Sequence, residues 1–306
     1  MRGNVNNVSA GHRAKQSYAN KRTTGKEQFY TTSNAVDLCI AEMVKHVDLT
    51  GRLLLEPCGG TGEFIEGLKR HGVAENKIIS FDIEPKHPSV LQQDFLETEP
   101  AIFEGSVCIT NPPFGRANSL SKKFFNHAAE GCDFIGFLIP KSWRKWSVIN
   151  SLNKNFDLVS EIEMPLNCFY TPEKKVSTKG VLQTLFQVWK RTTKPRDKII
   201  IPDHGLIKKI LPRNRMVSGA NLEMIIFGHS CGKIKEVVGT VPSKTTTMYL
   251  KVDSPEVITA LKSLDMSPYY NNTAYVQALS IKEINHELNK KLGLPTFNFT
   301  NPLFTS

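Results

Sequence analysis

The residue types best suited to chemistry fall in three short stretches. The first is Glu56-Pro57-Cys58-Gly59-Gly60-Thr61-Gly62, an acid followed closely by three glycines. Glycine has no Cβ, so backbone here can approach a ligand closely. A dinucleotide fingerprint would need a third spaced glycine where Ile65 stands, and a triphosphate loop would need Gly-Lys-Ser/Thr; neither is present. The second stretch is Asp82-Ile83, with Asp82 twenty residues after Gly62, where a carboxylate can accept from ribose hydroxyls. An acid at each of two strand ends suits a cationic ligand that carries a ribose and no phosphate. S-adenosylmethionine has that inventory, and Asp94-Phe95 on the next segment would accept from its adenine amino group and flank the ring.

The third stretch is Asn111-Pro112-Pro113-Phe114. Two successive prolines fix φ and remove donors, which leaves a rigid turn rich in outward carbonyl acceptors. The exocyclic amine of a nucleobase is a poor nucleophile, because its lone pair is delocalised into the ring. If the Asn111 side-chain oxygen accepts one N–H and the Pro112 carbonyl the other, the lone pair is aimed at a methyl donor. Phe114 would stack on the base, which must leave its duplex to be reached.

These residues need elements to position them. Ala35, Val36, Cys39, Ile40, Met43, Val44 and Val47 have helical spacing, with Ser33 or Asn34 as the cap. The apolar run Leu53 to Leu55 predicts a buried strand, and Phe64, Ile65 and Leu68 predict a helix. Strands follow at Lys77 to Ile83, Val107 to Thr110 and Phe134 to Ile139, with a helix over Lys122 to Ala129. Alternating β and α elements predict an α/β fold, a parallel sheet with helices on both faces. Leu158 to Met164 and Val181 to Trp189 read as a closing antiparallel hairpin joined by the polar loop Tyr170 to Lys179. Past a boundary near 192 the chain becomes β-rich (Ile199 to Ile201, Leu222 to Phe227, Val237 to Val241, Thr246 to Val252), with helices over Pro255 to Leu264 and Ile281 to Leu292.

With 306 residues, 40% of them apolar, the chain has material for a substantial core, which excludes global disorder and a disulfide-stapled miniature. No apolar run approaches the roughly 20 residues of a membrane span. The polar, Asn-rich stretch Met1 to Ala10 has no signal-peptide character, so a cytoplasmic protein with reduced thiols is expected, nucleoid-associated or in the host cell if viral. The six cysteines include no C-x-x-C and no zinc pattern, so no metal is expected. Lys and Arg number 39 against 29 Asp and Glu, a net charge of +10 that suits a polyanionic partner. Residues 1–26 contain six basic residues and no acid, and are expected to form a flexible arm; Lys190 to Arg215 hold nine basic residues against two acids.

Taken with their order, these segments resemble the amino-methyltransferases that methylate exocyclic nitrogens of DNA bases, chiefly adenine N6, in the gamma-class arrangement. The resemblance spans Gln28 to Arg191. It implies a Rossmann-like class I methyltransferase domain over 27–192 and a smaller basic α+β target-recognition domain over 193–306. By that resemblance Thr31, Glu56, Pro57, Gly60, Gly62, Asp82, Ile83, Asp94, Phe95 and Asn111 hold S-adenosylmethionine. Asn111, Pro112, Pro113, Phe114 and Tyr170 form the catalytic group, with Tyr170 of the loop Phe169 to Ser177 sandwiching the base against Phe114. Double-stranded DNA is the implied partner, with a cognate restriction endonuclease as a second; a monomer is expected. RNA adenine, cytosine N4 and a catalytically silent nucleic-acid-binding subunit are the alternative readings.

Overall fold

The computed structural model describes residues 29–166, 168–170, 182–214, 216–237 and 246–304. The expected arm over 1–26 and most of the loop following Tyr170 lie outside these residues. A two-residue strand β1 (Tyr30–Thr31) leads into α1 (Ser33–Met43), then β2 (Leu54–Glu56), α2 (Glu63–Arg70), β3 (Ile78–Asp82), β4 (Leu91–Gln92) and β5 (Val107–Thr110). After α3 (Ser119–Gly131) come β6 (Phe134–Pro140), a one-turn α4 (Trp146–Ile149), β7 (Phe156–Glu163), β8 (Phe169–Tyr170) and β9 (Thr184–Arg191). The remainder holds β10 (Lys208–Ile210), β11 (Leu222–Ile225), β12 (Ile234–Glu236), β13 (Thr247–Lys251), α5 (Pro255–Lys262), α6 (Ser267–Tyr270) and α7 (Ile281–Lys291).

Seven strands form the main sheet in the order β4-β3-β2-β5-β6-β9-β7. β4 through β6 are parallel, and β9 runs antiparallel between β6 and β7, the closing hairpin that the sequence pattern predicts. The fold is therefore α/β, with helices on both faces. Period-two alternation divides the strand residues between two cores. Leu54, Val107 and Ile109 pack with Val36, Ile40 and Met43 of α1 and Leu68 of α2, while Leu55, Cys108 and Ile135 pack with Phe125 of α3 and Trp189 of β9. The chain starts the sheet at β2, builds outward through β3 and β4, then returns to add β5 on the other side. That reversal makes a crevice beyond the carboxyl ends of β2 and β5, the usual ligand position in such sheets.

A four-stranded antiparallel sheet, β10-β13-β11-β12, follows the main one. Its inward side chains Leu222, Met224, Met248 and Leu250 join the same core as Trp189 and Phe125. α7 is fastened by a reciprocal cap between Ser280 and Glu283. Three expectations need correction. α1 begins at Ser33, with Thr32 in the cap position, and the Ser33 hydroxyl instead donates to Glu63 at 2.9 Å. Ile199 to Ile201 form no strand, because both backbone groups of Ile199 bond the Asn150 side chain at 2.8 and 2.9 Å. The strand expected at Val237 to Val241 lies earlier, as β12, and 238–241 fall outside the described residues. Among the described residues no helix is long and apolar enough to cross a membrane.

Lys145, just after the turn that follows β6, ties the C-terminal elements to the main sheet. Its ammonium donates to Glu283 at 2.7 Å and to the carbonyls of Ala278 and Tyr269 at 3.0 and 3.3 Å. The Glu283 side chain is only 4% exposed, so removing its partner strands a charge. Lys145→Ala should lower stability by about 3 kcal/mol in urea unfolding, with much of the loss recovered in the Lys145→Met, Glu283→Gln double variant.

Candidate functional site

The loop leaving β2 is shaped by its glycines. Gly60 (φ 48°) and Gly62 (φ 82°) lie in the left-handed region. A Cβ at Gly62 would also sit 2.4 Å from the His87 ring. Asp82, at the end of β3, closes the turn from the side. One of its carboxylate oxygens accepts from the Gly60 amide at 2.9 Å, the other from the Glu84 amide at 2.8 Å. Both oxygens are thereby oriented, and each keeps acceptor capacity for a ligand hydroxyl.

Below this loop Glu56 is 1% exposed. One of its oxygens accepts from the Cys58 amide at 2.9 Å and from the Thr110 hydroxyl at 2.5 Å, while the second has no partner among the described residues. Burial pushes the carboxyl up from its ordinary 4.5 to about 8, against the lowering effect of those two bonds. Burial, with Glu56 and Asp82 nearby, also keeps the Cys58 thiol well above its ordinary range, so it is protonated and no nucleophile.

A cavity of about 500 Å³ opens over these strand ends. Thr31, Pro57, Gly60, Asp82, Ile83, Asp94 and Phe95 line it, as do Asn111, Pro112, Pro113 and Phe114. Of the expected site residues, Glu56, Gly62 and Tyr170 do not. Glu56 lies beneath the glycine loop as its anchor. Gly62 starts α2. Phe95, expected to flank a ligand ring, is 1% exposed, its ring held among Phe81, Phe103, Phe124 and His127. Asp94 caps the short turn after it, accepting from the Leu96 amide at 3.0 Å.

Tyr170 is turned away from Asn111. β8 pairs antiparallel with β1, setting Tyr30 opposite Tyr170 and Thr31 opposite Phe169. Successive strand residues face opposite sides, so only one of Phe169 and Tyr170 can meet Phe114. It is Phe169, edge-on to Phe114 at 6.5 Å. Tyr170 instead donates to Glu63 at 3.1 Å, shares a 2.9 Å bond with Thr61 and lies against Tyr30.

Asn111 follows the last residue of β5. Its Nδ2 donates to the Phe29 carbonyl at 2.8 Å, which fixes the amide plane and leaves Oδ1 buried with no partner among the described residues. The Phe29 ring lies near-parallel to Phe114, 22° and 6.0 Å between centroids, leaving Phe114 only 8% exposed. Any ring that is to stack on Phe114 in place of Phe29 must therefore displace it. Phe29 and Tyr30, of the segment Phe29-Tyr30-Thr31-Thr32 that by resemblance meets the methionine part of the cofactor, also line the cavity, as does Thr61 of the glycine loop. Gln93 and Arg116 line it too, and nothing in the sequence singles them out beyond their nearness to Asp94 and Phe114.

No protein-family profile and no curated protein matches this chain. Solved structures resemble it at a distance. One from Pyrococcus horikoshii, provisionally named an RNA methyltransferase, is 16% identical at a TM-score of 0.44, covering 54% of this chain and 88% of its own. The modification subunit of a provisionally named type I restriction enzyme from Vibrio vulnificus is 16% identical at a TM-score of 0.39, covering 60% of this chain and 49% of its own. The 23S rRNA methyltransferase ErmE is 16% identical at a TM-score of 0.39, covering 55% of this chain and 71% of its own. Likenesses this remote do not bear on the chemistry of the site.

The raised Glu56 pKa has a defined sign. The folded state binds a proton that the unfolded chain releases near 4.5, so stability is full below that pH and falls as pH rises through about 8. Glu56→Gln should flatten that fall by about 1.4 kcal/mol per pH unit inside the window. Urea unfolding of both proteins at pH 5, 6, 7 and 8 measures the difference; parallel curves would show that Glu56 is ionised throughout.

Proposed function

We propose that this chain is an S-adenosylmethionine-dependent methyltransferase that transfers a methyl group to the N6 amine of a flipped-out adenine in double-stranded DNA. The observation that carries this reading is the Asn111 side-chain oxygen. It is buried, oriented by the Phe29 carbonyl, and has no partner among the described residues, in a cavity also lined by the β2 and β3 loops. A buried acceptor left open is costly unless a ligand donor meets it.

The residues present suit this cofactor. The cavity carries Asp82 and Asp94 at successive strand ends, with the glycine loop beside them, and Gly60 presents bare backbone toward it. Asp82 would hold the ribose hydroxyls, Asp94 the adenine amine and Ile83 the adenine face, with Thr31 and Pro57 beside the methionine portion. When bound, S-adenosylmethionine supplies an electrophilic methyl on a sulfonium. At the other end Asn111 Oδ1 and the Pro112 carbonyl take the two amine N–H bonds, which turns the nitrogen lone pair toward that methyl. Phe114 stacks on the base once Phe29 yields, with Phe169, edge-on to Phe114, beside them. Neutral acceptors do this work, so the reaction needs no covalent bond to the enzyme. The basic segment 193–306 is the proposed contact with the duplex.

Asn111→Ala should reduce methyl transfer by at least about 10²-fold while leaving cofactor affinity within a few-fold. The measurement is incorporation of tritiated methyl into unmethylated genomic DNA and total RNA in parallel, followed by nucleoside mass spectrometry. N6-methyladenine in DNA alone supports the reading, and label in RNA alone would move the substrate to RNA. Activity of the variant within a few-fold of wild type would remove Asn111 from the mechanism.

A further inference from the structure

Just past Phe114 the backbone takes an unusual course. Gly115 has φ 68°, and Ala117 (φ 53°) and Asn118 (φ 61°) also lie in the left-handed region, which L side chains rarely adopt. Strain of this kind persists only where the surroundings over-determine it. Asn118, 7% exposed, donates to the Ser142 hydroxyl at 2.9 Å. Its carbonyl accepts from the Ser121 hydroxyl at 3.3 Å, which in turn accepts from the Trp143 indole at 3.2 Å. The turn is thus pinned to the segment after β6, and it sets one side chain, Arg116, exposed at the cavity's edge.

Arg116 is the only cation among the described lining residues, against the acids Glu63, Asp82, Glu84 and Asp94. The acids belong to the first turn of α2 and to the segments after β3 and β4; Arg116 belongs to the Asn111 loop. No described acid pairs with it. Immediately behind it α3 starts with no acidic residue in its first turn. An arginine whose backbone is held at the cavity's edge by the pinned turn, with no carboxylate partner among the described residues, carries the donor fork that suits a phosphate. An uncharged target, such as a side-chain amide of a protein, would gain nothing from it.

We propose that Arg116 binds the phosphate adjoining the nucleotide whose base enters the cavity, and so selects a nucleotide over a free base or a protein amide. This rests on the methyltransferase reading above. The pinned turn acts by holding the Arg116 backbone in place relative to Asn111, so that the side chain reaches the phosphate while the base is bound.

The test uses the full chain saturated with S-adenosylhomocysteine, titrated by calorimetry with adenosine, adenosine 5′-monophosphate and adenosine 3′-monophosphate. One monophosphate should bind about tenfold tighter than adenosine, the size expected of one charge-assisted contact. Arg116→Gln should abolish that preference and leave the affinities for adenosine and S-adenosylhomocysteine unchanged, while Lys123→Gln, an exposed change on α3, should keep it. Equal binding of all three ligands by wild type, absence of binding by any of them, or a preference that survives Arg116→Gln, overturns the proposal. If S-adenosylhomocysteine still binds in those cases and genomic DNA is still methylated, the fault lies with Arg116 alone. If S-adenosylhomocysteine fails to bind wild type, the cofactor reading falls, and the proposal with it.

Discussion

One buried carboxylate oxygen joins the two halves of the site. Glu56 Oε1 receives the Cys58 amide of the glycine loop and the Thr110 hydroxyl at the end of β5. The next residue after Thr110 is Asn111. A single acceptor therefore ties the loop at the end of β2 to the strand that delivers the amide, across the point where the sheet reverses its order. Parallel pairing fixes the two strands laterally, with Leu54 opposite Val107 and Leu55 opposite Cys108. It does not fix how each chain leaves its strand. The Glu56 bonds do, and they explain why an acid sits in a place where burial raises its pKa so far.

From that anchor the remaining constraints follow outward. Asp82 turns the glycine loop by holding the Gly60 amide, and Phe29 turns the Asn111 amide by accepting from it. The Asn111 contact spends the amide nitrogen and leaves Oδ1 open, while both Asp82 oxygens are oriented by backbone amides and keep spare acceptor capacity. Preorganisation of this kind means that a ligand meets acceptors already aligned, with little reorganisation left to occur on binding. β1, only two residues long, is what brings Phe29 and Tyr30 to the cavity, and it is held there by its pairing with β8.

The main sheet was legible in the sequence because strands buried on both faces are written as continuous apolar runs, which Leu53 to Leu55, Val107 to Ile109 and Phe134 to Ile139 are. The ends of those runs located the glycine loop, Asp82 and Asn111, and the cavity gathers all three. The depth of Glu56 was not legible, since a strand-end acid reads alike whether it faces the crevice or the sheet below. Nor was the face presented by Tyr170. Its orientation comes from the register with β1, a long-range pairing of two residues that leaves no periodic trace. In the C-terminal part, Lys208 to Ile210 reads as polar loop yet forms an edge strand, while the apolar Ile199 is satisfied by a side chain, so local pattern and pairing part company there.

The cavity lining is also divided by the kind of group each segment brings to it. Around Asn111 the described lining consists of amide, carbonyl, aromatic and aliphatic groups with Arg116. The acids lie at the other end, and Glu56, titrating near 8, lies beneath the loop. In the proposed reaction the attacking amine belongs to the substrate and is activated by geometry, so the reacting end has no need of a tuned acid or base. A pH-dependent step would then arise from Glu56. Its ionisation would change the charge on the group that holds the Cys58 amide of the glycine loop and the Thr110 hydroxyl next to Asn111, the two parts between which the proposed reaction takes place.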